Sequence, residues 1–110
     1  MTVLTIRAHK RYALRQPVRL AKSGAAPARG LLIELSSEGC RISNLGGATY
    51  DVGEQVAIHV DELKLPGRIR WAHDGLAGVR LDDALRIHQL AELIALGRNE
   101  APTDIARYGT

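Results

Sequence analysis

Apolar and polar residues alternate with a period of two through most of residues 18–81. A run patterned this way can bury one side and solvate the other only as β-strand, because successive side chains point to opposite faces. Val18-Arg19-Leu20 opens the pattern. In Leu31 to Ser36, Leu31, Ile33 and Leu35 share one face, and Leu32, Glu34 and Ser36 share the other. After Gly39, Cys40 and Ile42 alternate with Arg41 and Ser43, and Asn44-Leu45-Gly46-Gly47 reads as a loop. Val56, Ile58 and Val60 oppose Ala57 and His59. The longest alternation sets Leu63, Leu65, Gly67, Ile69 and Trp71 against Lys64, Pro66, Arg68 and Arg70. Asp74-Gly75 is a strong hairpin signal, and Ala77, Val79 and Leu81 form a last strand.

Six short strands with closely spaced turns predict a mainly β fold, a small antiparallel barrel or sandwich. Pro66 and Gly67 suggest a bulge, bend or edge position. The period then changes. Asp82 or Asp83 can cap a helix running to about Leu96, with Ile87, Leu90, Leu93 and Ile94 on one stripe and Gly97 as its stop. From Arg98 onward the chain is polar and contains Pro102, which reads as a frayed tail.

Size and charge narrow the function classes. The 110 residues suit one domain with a modest core. No apolar run approaches the roughly 18 residues of a membrane span, and the first six residues are too short for a secretory signal. A lone cysteine, Cys40, cannot form an internal disulfide, which fits a cytoplasmic protein. Residues 1–33 carry seven basic side chains and no acid, whereas residues 34–110 carry eight basic and twelve acidic ones. An electropositive segment on a mildly acidic body suits an anionic partner.

Two of those cations, Arg11 and Arg15, are spaced four apart and precede Glu34-Leu35-Ser36-Ser37-Glu38-Gly39. Arginine presents a planar fork of donors that matches phosphate oxygens and stacks on bases. Glu34 and Ser36 share a strand face, where a carboxylate accepts from guanine N1–H and amino groups. The serine hydroxyl can bond a ligand or fix the turn. Gly39 permits positive φ or a close backbone approach.

With these residues the chain resembles the PilZ family of cyclic di-GMP receptors, whose pattern is Arg-x-x-x-Arg followed by Asp or Asn-x-Ser-x-x-Gly. Arg11 and Arg15 match the first motif, and Ser36 and Gly39 match two of three positions in the second. Leu31-Leu32-Ile33, Gly39-Cys40-Arg41-Ile42, Gly67-Arg68-Ile69-Arg70-Trp71 and Gly78-Val79-Arg80-Leu81 extend the likeness over about residues 7–97. The resemblance implies a six-stranded antiparallel β-barrel with a C-terminal α-helix. It divides the chain into a flexible basic segment with the arginine motif (1–16), the barrel plus helix (17–97) and a polar tail (98–110). It further implies a non-enzymatic bacterial second-messenger receptor. Arg11 and Arg15 would clamp cyclic di-GMP, with Glu34, Ser36 and Gly39 on the barrel side. Ligand binding would order the arginine segment and alter the surface offered to an effector protein.

Glu34 departs from the family's Asp or Asn. It keeps the acceptor chemistry but reaches about 1.5 Å further and has one more rotor to freeze. The alternative is a degenerate PilZ-like interaction module that does not bind the dinucleotide. No cofactor or metal is expected, since His9, His59, His73 and His88 lack partners at metal-ligand spacing, and no catalytic constellation is visible. Four aromatics, with no Phe, count against a general nucleic-acid platform. Cys40 and Trp71 read as core residues, and Arg41, Arg68, Arg70 and Arg80 as outward strand residues.

Overall fold

The computed structural model describes residues 10–98. Residues 1–9, with Arg7 and His9, and residues 99–110, with Tyr108, lie outside the described part. Six strands form: β1 (Tyr12–Lys22), β2 (Ala28–Leu35), β3 (Gly39–Ser43), β4 (Gln55–Val60), β5 (Leu63–His73) and β6 (Leu76–Leu81). One helix follows, α1 (Ile87–Arg98). All neighbouring strands are antiparallel and close in the order β1-β2-β3-β6-β5-β4. Closure leaves no unpaired strand edge. Among the described residues no helix is long and apolar enough to cross a membrane.

The inward sides of the alternation meet in one core. Val56, Ile58 and Val60 of β4 and Ala77, Val79 and Leu81 of β6 are buried where the alternation put them. Asp74 and Gly75 both take positive φ (51° and 77°), the backbone a tight two-residue hairpin requires.

Three bulges change the faces that a uniform period predicts. In β2, Leu32 pairs with Ile42 and Glu34 with Arg41, so Ile33 is an extra residue. Leu32 and Leu35 consequently fill the core, and Leu31 and Ile33 are only half-buried. The single face expected for Leu31, Ile33 and Leu35 does not form, because an inserted residue inverts the phase of everything after it. In β5, Ile69 pairs with Val79 and Trp71 with Gly78, which makes Arg70 the extra residue. Ile69 and Ala72 face inward as a result, and Trp71 turns outward. A third shift lies in β1 between Ala13 and Gln16. Residues 12–16, expected within a flexible segment, are part of β1 in this structure.

The helix also differs from expectation. It starts at Ile87 instead of following an Asp82 or Asp83 cap. Asp82 accepts a 2.9 Å hydrogen bond from Gln55 Nε2, and Gln89 Oε1 reaches back to the Arg86 amide at 3.0 Å, half of a capping box. Leu90, Leu93 and Ile94 are buried, whereas Ile87 is 50% exposed and falls off that stripe. Gly97 lies inside the helix and is no stop: a Cβ there would stand 2.8 Å from Leu14 Cβ. Glycine thus lets α1 lie close against β1. Arg98 then latches the two, donating from Nε to the Ala13 carbonyl at 2.8 Å.

Candidate ligand groove

The registers of five strands align one outward row. Ala13 pairs with Glu34, Glu34 with Arg41, Arg41 with Gly78, and Gly78 with Trp71. Gly78 has no side chain, and the indole of Trp71 occupies the space that a Cβ there would need. The ring therefore leans across β6 toward β3, where the Arg41 guanidinium sits 5.6 Å from its centroid. The Nε of Arg41 is buried and has no hydrogen-bond partner among the described residues.

Above this row a groove of about 300 Å³ opens, lined by Arg11, Glu34, Ser36, Glu38, Gly39, Cys40, Arg41, Arg70, Trp71, Gly78, Val79 and Arg80. Four cations against two carboxylates leave the lining net positive, so an anion is favoured there.

The turn from β2 to β3 forms one wall. Ser36 Oγ accepts from the amides of Glu38 and Gly39, both at 3.3 Å, and the Ser36 amide donates to the Gly39 carbonyl at 2.9 Å. The hydroxyl is thus committed to closing the turn. Gly39 serves close approach, since a Cβ there would lie 2.6 Å from the Val79 carbonyl oxygen. The Leu81 amide donates to Glu38 O and the Leu85 amide to Ser37 O, at 2.8 and 2.7 Å, which anchors the turn from below.

Of the sequence-predicted residues, the fold brings together Arg11, Glu34, Ser36 and Gly39. Arg11 Nη1 lies 3.6 Å from Glu34 Oε1. The two side chains are 70% and 30% exposed, and pairs of this kind contribute only about 0–1 kcal/mol. Arg15 stands exposed on β1 and does not line the groove. Cys40 reaches the groove only as part of its wall. Burial pushes its thiol up to about 12, so it stays protonated and poorly nucleophilic near neutral pH.

The residue that sequence reading placed wrongly is Trp71. The correct side was nevertheless legible. A two-residue turn at Asp74-Gly75 sets Ala72 opposite Ala77 and Trp71 opposite Gly78. With Ala77 inward, Ala72 must be inward as well, and Trp71 must face out over the glycine.

The PilZ domain family profile matches residues 5–96. Among solved structures, the PilZ domain of CeSA from a cellulose-synthesizing bacterium is similar to this chain. The two share 24% identity over 80% of this chain and 94% of the other, with a TM-score of 0.59, a likeness of fold. No curated protein matches the chain.

Proposed function

We propose that the chain, which belongs to the PilZ family, binds cyclic di-GMP in this groove and passes the signal on through protein contacts. The observation that supports the reading most is the convergence of Arg11, Glu34 and the Ser36–Gly39 turn with the Arg41–Trp71 stack in one cationic groove. Arg11 leaves Glu34 for a ligand phosphate. The exposed ion pair contributes only about 0–1 kcal/mol, so little opposes the exchange. Released, the Glu34 carboxylate accepts from the guanine N1–H and amino group. A ligand acceptor reaching Arg41 Nε satisfies a buried donor that has no partner among the described residues. Ser36 contributes the shape of the wall, since its hydroxyl is occupied by the turn.

Arg15 joins only if the start of β1 rearranges around the ligand, and that rearrangement is the switch that alters the surface offered to an effector protein. One specific observation favours a second reading, a PilZ module that does not bind the dinucleotide. Glu34 already holds Arg11, and Arg15 stands outside the groove.

Calorimetric titration with cyclic di-GMP, with GMP and cyclic di-AMP as controls, separates the two. The receptor reading requires saturable binding of cyclic di-GMP alone and its loss in Arg11→Ala. Absence of heat from well-folded protein establishes the second reading.

A further inference from the structure

On the opposite side of the barrel from the groove, strand register builds a second row of like charges. Arg29 of β2 pairs with Arg19 of β1, Arg19 with His59 of β4, and His59 with Lys64 of β5. Residues directly opposite across antiparallel strands share a face with their side chains in contact range. Here three permanent cations and a histidine stand side by side over four consecutive strands. None of the four takes part in an ion pair among the described residues. Like charges placed opposite one another destabilise a sheet. The Arg19–Arg29 pair is therefore a cost to the free fold that an anionic partner would relieve.

The surroundings of the row select the partner. A shallow depression of about 560 Å³ is lined by Pro17, Val18, Pro27 and Gly30, with Arg19, Arg29, His59 and Asp61 around them. Apart from the His59 imidazole the depression contains no aromatic ring, too few for the successive stacking that holds single-stranded nucleic acid. Asp61 and Glu62 occupy the β4–β5 turn next to the row. Their negative charge would oppose a broad anionic membrane surface laid across this face. A narrow acidic segment laid along the row from Arg29 to Lys64 runs past this turn, whereas a broad surface has to cover it. The row spans three interstrand steps, about 14 Å, and carboxylates on alternate residues of an extended chain recur about every 6.7 Å. Two or three of them fit along the row, with an apolar side chain seated against the exposed Pro17 and Pro27.

We propose that the β2-β1-β4-β5 face is a docking surface for an acidic segment of a partner protein that carries an apolar anchor. It lies across the barrel from the candidate ligand groove, so it does not rest on cyclic di-GMP binding. The two sites nevertheless share β1, which begins beside Arg11 and carries Arg19.

The test is a ¹H–¹⁵N NMR titration of the full chain with the peptide Glu-Glu-Leu-Glu-Glu. Lys-Lys-Leu-Lys-Lys, a thymidine oligonucleotide and phosphatidylglycerol vesicles serve as comparisons. Docking of the acidic peptide should shift the amides of Arg19, Gly30 and His59 saturably. Joint replacement Arg19→Glu and Arg29→Glu should weaken it about tenfold or more, the loss of two charged contacts. Arg19→Gln supplies an independent readout that needs no ligand. It should raise Tm at low salt, and screening should erase most of that gain once salt exceeds about 0.3 M. The proposal is overturned if the peptide shifts only residues of the Trp71 groove or none at all. It is equally overturned if the oligonucleotide or vesicles bind this face more tightly, or if Arg19→Gln lowers Tm.

Discussion

A valine in place of Gly78 would put methyl groups where the Trp71 indole now lies. Inserting carbon into an occupied space costs about 1–3 kcal/mol through forced side-chain movement. We expect Gly78→Val to lower the urea midpoint by a corresponding amount and to red-shift Trp71 emission as the ring is driven into water. An unchanged midpoint and spectrum would mean that the indole does not depend on that glycine. The same pair of residues shows what the sequence permits at this scale. Arg11, Glu34, Ser36 and Gly39 were recognisable because a motif marks them, and the fold gathers them around one groove. A uniform period puts Trp71 inside, whereas the hairpin register, with Arg70 as an extra residue, turns it outward. The use of the Ser36 hydroxyl was open in sequence. Two amides within three residues decide it in favour of the turn.

Among the elements, β1 and α1 depend on each other. Gly97 lets the helix approach Leu14, and Arg98 reaches the Ala13 carbonyl while its guanidinium lies 5.8 Å from the Tyr12 ring centroid. This latch fixes the start of the strand next to Arg11. Replacing Arg98 with alanine should cost about 1 kcal/mol, the net value of one such hydrogen bond. It should also speed amide exchange at residues 12–14 while leaving β4 and β5 protected. Uniform loss of protection would show instead that the latch supports the whole barrel. The number of strands and the β5–β6 hairpin were legible because alternation and turn residues agree locally. The bulge at Ile33 was not, since it depends on how neighbouring strands bend around a small closed barrel. The helix start was misread for a related reason. Asp82 has the chemistry of a cap but is taken by Gln55, 27 residues away in sequence, and Gln89 does the reaching back from within the helix.

For the whole molecule, closure in the order β1-β2-β3-β6-β5-β4 converts one linear charge pattern into two separate cationic faces. Residues 1–33 were readable as an electropositive segment. Only the register shows that Arg19 and Arg29 line up with His59 and Lys64, whereas Arg11 turns toward Arg41, Arg70 and Arg80 across the barrel. A receptor organised this way can hold its ligand on one side and its partner on the other, with β1 common to both. The groove also contains the protein's single tryptophan, so the proposed ligand site has a built-in reporter. The measurement to make is a titration of Trp71 emission with cyclic di-GMP, in the unaltered chain and in Arg11→Ala. Saturable quenching or a spectral shift in the unaltered chain, lost in the variant, is the predicted result. Calorimetric binding of cyclic di-GMP that leaves Trp71 emission untouched would place the ligand elsewhere and contradict the account.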